Sequence, residues 1–418
     1  MKHLSFPQLH KAVYTLGLLA GVLTTSSSAI AADDAYFETL QKGLYLTRAA
    51  DCQACHTAPG GIPFAGGLNI KTPFGTMISP NLTPDVETGI GGWSDQQFLM
   101  AVKHGIRPNG RKIYPALPYN YYTKVTDEDA LAIKAYLNSL QPVRNPVVAN
   151  QLPFPFSIRY VVTGWNMFYF TPGDFKPNQN KSEEWNRGAY LVDGLGHCGA
   201  CHTPRSILGG ETSAYLQGTE IEGFTAPNIT SDKRVGLGDW SVDDIVQYLK
   251  TGRNHITAAT GPMAEVVNLS TQHLTDADLK AMAVYLKDLP GGGDKAPIPL
   301  AATDSVMKAG QAIYIDNCSA CHASNGAGAY PIFPSLKGNA IVQSKSTATL
   351  RHVVLNGAKS AVTDTAPTAP AMPAYNWKLN DDQIAAVLTY IRNSWGNAAA
   401  PVSASEVKDT RSSLAVSH

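Results

Sequence analysis

Six cysteines form three copies of one short motif, in which two cysteines are separated by two residues and followed at once by histidine. The copies are Cys52-Gln53-Ala54-Cys55-His56, Cys198-Gly199-Ala200-Cys201-His202 and Cys318-Ser319-Ala320-Cys321-His322. Two thiols at this spacing can add to the two vinyl groups of a haem, and the adjacent imidazole can bind its iron. The pattern therefore predicts three covalently bound haem c groups, with His56, His202 and His322 as iron ligands.

Other uses of paired cysteines explain the pattern less well. Structural zinc needs four ligands in a closed site, and three separate motifs do not divide into such sets. A disulfide framework or a redox-active cysteine pair suits an exported chain, but neither requires histidine after the second cysteine three times. Because no cysteine is left over, haem attachment is the favoured interpretation.

Methionines near the ends of the second and third repeats can supply a second axial ligand. Met263, in Gly261-Pro262-Met263, and Met372, in Met372-Pro373, occupy equivalent loops before the last predicted helix of each repeat. Methionine opposite histidine raises the potential of an electron-transfer haem. Methionine also fills gaps in apolar cores, but the repeated position favours ligation.

The first repeat departs from this pattern. Leu117 lies 61 residues after His56, just as Met263 lies 61 residues after His202, and leucine cannot bind iron. Met77, Met100 or His104 then binds the iron from elsewhere, or the iron keeps an open site. Met77, in a Gly-Thr-Met turn, is a candidate ligand, and its packing in the core is the competing interpretation.

The elements around the motifs repeat as well. A short helical segment containing glycine and tyrosine precedes each motif, and an amphipathic helix is predicted to close each repeat after Thr126, Thr275 and Asn380. A first and a last helix packed across each other above a haem are typical of small cytochromes. We therefore predict an all-α fold of three tandem class I cytochrome c domains joined by proline-rich linkers.

The two ends of the chain are predicted to lie outside these domains. Lys2 and Lys11 precede an apolar run over 12–23, and Ala29-Ile30-Ala31 resembles a signal-peptidase site. The run is too short to span a membrane, so we expect export to the periplasm and peripheral association with the outer face of the cytoplasmic membrane. The predicted boundaries are a signal peptide at 1–31, domains at 32–145, 183–291 and 303–397, linkers at 146–182 and 292–302, and a disordered tail at 398–418.

The charges are balanced, with 33 Lys and Arg residues against 33 Asp and Glu residues. This balance argues against nucleic acid as a partner. The first linker contains five prolines and a group of aromatic residues, which suggests that it packs on another surface.

With these motifs in view, the chain resembles the tri-haem cytochrome c subunits of membrane-bound bacterial dehydrogenases that oxidise alcohols, sugars and sugar acids, of which gluconate 2-dehydrogenase is the first candidate. The resemblance covers nearly the whole mature chain. Besides the haem motifs it rests on Thr72-Pro73-Phe74-Gly75, on Asn81-Leu82-Thr83-Pro84-Asp85, on Trp185-Asn186-Arg187-Gly188-Ala189-Tyr190-Leu191 and on Cys201-His202-Thr203-Pro204-Arg205. In that family the segment Tyr-Pro-Ala-x-Pro-Tyr usually has methionine at x, where this chain has Leu117.

The resemblance implies an electron relay. A catalytic subunit, most often flavin-dependent, would oxidise the substrate, and the haems would pass electrons to membrane quinone; a small third subunit would complete the complex. The chain itself would then have no catalytic residues. Two alternatives stay open: a peroxidase-like haem enzyme that uses an open first haem, and a free-standing periplasmic electron carrier.

Overall fold

Helices dominate the computed structural model, which describes residues 34–416. The predicted signal peptide lies outside the described residues. The first segment contains α1 (34–49), α2 (Cys52–Cys55), β1 (Asn69–Thr72), β2 (Gly75–Ile78), α3 (Asp95–His104), α4 (Tyr119–Tyr122) and α5 (Asp127–Ser139). A single helix, α6 (Tyr160–Tyr169), follows in the stretch that was predicted as the first linker.

The second and third segments have a similar order of elements. The second contains α7 (Glu183–Tyr190), a π-helical turn (Leu191–Leu195), α8 (Gly199–His202), β3 (Thr219–Ile221), β4 (Phe224–Ala226), α9 (Val242–Thr251), α10 (Pro262–Leu269), a 3₁₀ turn (Thr271–His273) and α11 (Asp276–Asp288). The third contains α12 (Ser305–Asn317), α13 (Ser319–His322), α14 (Ala340–Gln343), α15 (Ala348–Asn356), β5 (Ala358–Lys359), β6 (Ala371–Met372), α16 (Asp381–Arg392) and α17 (Ala404–Val416).

The predicted starts of the three closing helices are confirmed. Thr126, Thr275 and Asn380 are the N-cap residues of α5, α11 and α16, and each side chain accepts a hydrogen bond from a backbone N–H in the first turn. Acidic residues also occupy the first turn of each helix, where they interact favourably with the positive end of the helix dipole. Local sequence therefore determines where these helices begin.

In each segment the first helix crosses the closing helix at a glycine. A Cβ atom at Gly43, Gly188 or Gly310 would collide with a backbone carbonyl oxygen of the closing helix. The three oxygens belong to equivalent residues: Ala132, Ala281 and Ala386. Only glycine lets two helix backbones approach this closely, so the same crossing is built three times in the chain.

The all-α prediction is correct in the main but incomplete, because each segment also contains a two-stranded antiparallel hairpin. β1 pairs with β2, β3 with β4, and β5 with β6. The longest hairpin has four paired positions in each strand, from Asn69 opposite Ile78 to Thr72 opposite Gly75. Such short strands leave little periodicity for sequence analysis to detect.

The prediction of a disordered C-terminal tail is wrong for the residues that the structure describes. Helix α17 covers most of the tail, and the side chain of Val407 is fully buried against the third segment. The helix begins with a capping box, because the Glu406 N–H donates to Ser403 Oγ and the Ser403 N–H donates to Glu406 Oε2. Arg411 then binds Asp381 at the start of α16.

The first two segments share one apolar core. A single cluster includes Leu46 and Leu137 of the first segment together with Leu191 and Leu279 of the second. Two smaller clusters form the core of the third segment, around Leu355 and Tyr314. The first two segments are therefore packed as one body.

Equivalent hydrogen bonds cross this shared core in opposite directions. The hydroxyl of Tyr45 on α1 donates to Asp278 on α11 at 2.5 Å, and the hydroxyl of Tyr190 on α7 donates to Asp129 on α5 at 2.6 Å. Each phenolic oxygen also accepts from the backbone N–H of the other segment's N-cap threonine, at 3.2 Å in both cases. This reciprocity relates the two segments by a pseudo-twofold axis.

Asp278 is the most strongly held of these carboxylates. Its two oxygens also accept hydrogen bonds from Arg187, at 2.8 and 2.7 Å. Burial alone would raise the pKa of Asp278, but the hydrogen bonds from Arg187 and Tyr45 lower it below the ordinary range of an aspartate.

The third segment meets the second through a different set of contacts. Arg253, which is buried, donates to the backbone oxygens of Ala366 and Thr368, at 3.3 and 3.0 Å. The rings of Phe224 and His352 pack face to face with a tilt of 36° and centroids 4.2 Å apart.

Among the described residues, no helix is long and apolar enough to cross a membrane.

Candidate haem-binding sites

Each cysteine pair lies on a single helical turn. The backbone N–H of the motif histidine donates to the carbonyl oxygen of the first cysteine, at 3.0 Å for His56, 3.0 Å for His202 and 2.9 Å for His322. In every pair the first cysteine is half-buried, the second is exposed, and both thiols are free. The turn thus presents two thiols and one imidazole together, as covalent haem attachment requires.

The three motif histidines have the same hydrogen-bond partner. Their Nδ1 atoms lie 2.8, 2.7 and 3.1 Å from a proline carbonyl oxygen. The prolines are Pro80, Pro227 and Pro334. Because a carbonyl oxygen can only accept, Nδ1 carries the proton and Nε2 keeps its lone pair free for a metal.

Burial also favours the neutral form of these histidines. It lowers the pKa of His56, His202 and His322, and the proline carbonyls oppose this effect only in part. Neutral imidazole is the form that binds iron. The free thiols and the oriented imidazole fit a c-type haem at each motif, whereas no three His, Cys, Asp or Glu side chains in the described part of the chain come together as a metal cage would need.

Met263 is held at the start of α10. It follows Pro262, the first residue of that helix, and packs against the same core cluster as Cys198. It also contacts a small cluster formed by Ala259, Val267 and Ala361. Met263 therefore lies where the second attachment motif, the second segment's loop and the third segment meet.

Met372 lies in strand β6, three residues before Tyr375. It packs on the cluster around Leu355, together with Tyr375. The hydroxyl of Tyr375 donates to the carbonyl oxygen of Asn317, the residue before Cys318, at 2.7 Å. The loop that carries Met372 is thus fixed to the helix end that carries the cysteines.

Leu117 and Met77 pack in different apolar clusters, although Tyr114 and Ala116 of the Leu117 loop belong with Met77. Leu117 packs on the core cluster that also receives Cys52. Met77 is buried in a different cluster, with Tyr114 and Val162. The core-packing interpretation thus accounts for the environment of Met77.

Met100 and His104 lie outside both of these apolar clusters. Both line a cavity of about 410 Å³ between α3 and α6. None of the three alternative side chains therefore shares the core cluster that contains Leu117 and Cys52.

The first and second attachment sites are adjacent across the pseudo-twofold axis. Helix α10, which carries Met263, packs against the attachment helix α2 of the first site. In the other direction, Tyr121 on α4 is in close contact with Gly199, in the attachment helix α8 of the second site. Each segment therefore contributes to the surroundings of both sites.

Sequence analysis missed the proline carbonyls and the reciprocal tyrosines. The prolines lie 24, 25 and 12 residues from their histidines, so no common spacing marks them. Tyr45 and Tyr190 stand out in the sequence only as part of the helical segments before the motifs, because their hydroxyl partners belong to another segment.

Comparison with known proteins supports the same assignment. Residues 307–395 match the cytochrome c family. The chain is 44% identical to the gluconate 2-dehydrogenase cytochrome c subunit of Pantoea cypripedii, over 94% of each chain. It is 39% identical to the cytochrome c subunit of the quinone alcohol dehydrogenase of Gluconobacter oxydans, over 95% of this chain and 87% of the relative. It is 38% identical to the fructose dehydrogenase cytochrome subunit of Gluconobacter japonicus, over 96% of this chain and 88% of the relative.

These likenesses extend over nearly the whole chain, including all three attachment motifs. They agree with free thiol pairs and oriented imidazoles that suit covalently bound haem c. This chain belongs to the family of cytochrome c subunits of dehydrogenase complexes, and its role is electron transfer.

Proposed function

We propose that this chain is a periplasmic tri-haem cytochrome that relays electrons from a catalytic dehydrogenase subunit to membrane quinone. It would consist of three tandem cytochrome c domains, one for each attachment motif, with α17 as part of the third. The observation that carries the proposal is the threefold recurrence of one local geometry: a cysteine pair on a helical turn, and a histidine Nδ1 on a proline carbonyl.

In each domain two cysteines would hold the haem, and the following histidine would be an iron ligand. When bound, the haem iron supplies reversible one-electron chemistry. The protein keeps the imidazole neutral and oriented, and it positions the methionine loops. Met263 and Met372 would be the sixth ligands of the second and third haems. Met263 shares a core cluster with Cys198, and the loop of Met372 is tied through Tyr375 to the residue before Cys318, which supports the assignment.

The first haem would differ from the other two. Leu117 packs in the core with Cys52, and the environment of Met77 is explained by its own apolar cluster. We infer that Leu117 covers the sixth position, so the first haem lacks methionine ligation. Its potential would then lie below those of the other two, because methionine ligation raises the potential.

The relatives and the first residues of the chain support a proposal for the partners and the location. The relative with 44% identity is a subunit of gluconate 2-dehydrogenase, so a sugar-acid dehydrogenase is the first candidate for the complex. A flavin-dependent catalytic subunit and a small third subunit would complete it. Residues 1–31 would direct export, and the mature chain would associate peripherally with the outer face of the cytoplasmic membrane.

Haem counting tests the core of the proposal. The intact mass and the pyridine haemochrome spectrum of the mature protein should give three haems per chain. Replacing Cys52 and Cys55, Cys198 and Cys201, or Cys318 and Cys321 by alanine should each remove one haem and leave two. A pair whose replacement leaves the count unchanged would not be an attachment site.

Electron relay needs a separate measurement. The haems should be reduced when the purified complex oxidises gluconate, and then reoxidised by a short-chain ubiquinone. Boiled complex is the control for direct reduction by gluconate. Haems that stay oxidised while gluconate is consumed would contradict the relay.

A peroxidase-like activity is the second candidate, because Leu117 would leave the first iron without a protein ligand on one side. The isolated chain should then turn over hydrogen peroxide with an electron donor, and the Leu117→Met variant should lose that activity. Turnover that is absent, or that is equal in the two proteins, would remove this candidate.

A further inference from the structure

The outward face of helix α6 is apolar, which is the reverse of an ordinary surface helix. Five residues at spacings i, i+1, i+4, i+7 and i+8 form a stripe along one side of the helix. They are Tyr160, Val161, Gly164, Met167 and Phe168. The side chains of Tyr160, Met167 and Phe168 are 86%, 80% and 79% exposed.

The opposite face of α6 anchors the helix to the protein. Val162 is buried on this side. The side-chain oxygen of Asn166 accepts a hydrogen bond of 2.6 Å from the hydroxyl of Tyr119, and the Tyr119 ring contacts Trp165 edge-on. The helix is therefore held in a defined orientation, and the exposure of its apolar stripe is a property of the folded chain.

Further exposed apolar residues lie near both ends of the helix. Phe154, in the chain just before α6, is 80% exposed. At the other end the hydroxyl of Tyr169 lies 3.1 Å from Ser206 Oγ, and the next residue, Ile207, is 95% exposed. The stripe itself is a run of exposed apolar side chains on one helix face, and such a surface marks a site of protein or membrane association.

A cluster of cations borders the stripe. Its members are Arg107, Arg111, Lys112 and Arg159. Burial, together with repulsion from Arg159 and Arg111, lowers the pKa of Arg107. Arg159 donates to the carbonyl oxygen of Lys112 at 2.6 Å, and the Lys112 side chain lines the same cavity as Met167. The cations and the apolar stripe thus form one continuous surface, which we call the α6 face.

The cations of the α6 face are not neutralised by the acidic groups near them. Asp127 and Asp174 act on His104, which lines the same cavity as Lys112, but both carboxylates are paired with Lys103. None of the four cations is in an ion pair within the described residues. An occupant of this face must therefore combine an apolar layer with negative charge at its edge.

We propose that the α6 face docks onto the surface of an anionic lipid bilayer. The stripe would enter the region between headgroups and acyl chains, and the cations would lie at the level of the phosphates. Aromatic side chains such as Tyr160 and Phe168 are suited to that interface. The inference deepens the peripheral membrane association proposed above, because it assigns that association to one surface of this chain.

Binding of the haem-loaded chain to vesicles tests this proposal. Vesicles of phosphatidylcholine mixed with phosphatidylglycerol should co-sediment with the protein, whereas phosphatidylcholine alone should bind it weakly. Met167→Ser with Phe168→Ser should lower the partition coefficient by about tenfold or more, because two apolar side chains lose their burial. Added salt should weaken binding of the wild type, since the cations contribute through the surface potential.

A second variant separates charge from apolar contact. Arg107→Gln with Arg111→Gln should lower binding to the anionic vesicles by about fivefold for each cation, and should leave the weak binding to neutral vesicles unchanged. Trp377→Ser is the matched control, because Trp377 is 79% exposed in the third segment and lies outside the α6 face. Unchanged haem spectra would show that all variants are folded.

Three results would overturn the proposal. The wild type would fail to bind anionic vesicles, or both α6-face variants would bind them as well as the wild type. If variants that still bind vesicles lose the catalytic subunit in pull-down assays, the α6 face is a subunit interface and the proposal is wrong. Reduction of the haems by the detergent-solubilised complex is scored separately, so failure of membrane docking can be distinguished from failure of the electron relay.

Discussion

Replacing Gly188 by alanine should destabilise the shared core of the first two segments. The added Cβ would collide with the carbonyl oxygen of Ala281 and would lie 2.9 Å from the Cβ of Tyr285. Because the nearest obstacle is backbone, it cannot rotate away, and helices α7 and α11 must separate. Overpacking of this kind costs about 1–3 kcal/mol, and the higher helix propensity of alanine offsets up to about 1 kcal/mol.

The net loss should therefore be about 1 kcal/mol, which corresponds to a fall in Tm of about 2–4 °C for a body of this size. Thermal unfolding followed by circular dichroism and by haem absorbance measures it. Gly164→Ala is the matched control: its Cβ would meet no atom within 4 Å, so only the propensity gain applies and Tm should rise slightly. A Gly188→Ala protein as stable as the wild type would refute the close crossing.

Three further outcomes are expected. Met263→Ala and Met372→Ala should each lower the potential of one haem while the haem count stays at three, which redox titration and intact mass would reveal; unchanged titrations would exclude both ligands. Leu117→Met should raise the potential of the first haem alone, whereas three unchanged potentials would mean that residue 117 does not face the iron. The lowered pKa of Asp278 stabilises the fold above the unfolded-state pKa, about 3.9, and this stabilisation is lost as the pH falls through the folded-state pKa. Asp278→Asn should therefore flatten the acid limb of a stability-against-pH curve, and a curve of unchanged slope would contradict the role of Arg187.

Features encoded by local sequence were predictable. The N-caps of the closing helices were found because Thr126, Thr275 and Asn380 precede acidic first turns. Helix α17 was missed because its composition of Ala, Ser and Val suggested disorder. The Ser-x-x-Glu pattern of Ser403 and Glu406 nevertheless indicates a capping box, and in the structure these two residues form its reciprocal hydrogen bonds.

Features that depend on distant parts of the chain were not predictable. The hydrogen bond from Tyr45 to Asp278 joins residues 233 positions apart, and the one from Tyr190 to Asp129 joins residues 61 positions apart. The hydrophobic periodicity of one segment does not predict a hydrogen-bond partner in another segment. The same reason hid the proline carbonyls, since an acceptor that belongs to the backbone leaves no residue type to recognise.

Because a pseudo-twofold axis relates the first two attachment sites, a residue that differs between them can be compared directly. Their attachment turns, histidine acceptors, helix crossings and tyrosine hydrogen bonds all correspond, so most of the protein environment of the two sites is matched. The equivalent loops differ at one ligand position, where Leu117 stands opposite Met263. If Met263 binds the second iron, as proposed, the replacement of that thioether by Leu117 would set the two haem potentials apart. The lower potential of the first haem would then favour electron flow from the first site to the second.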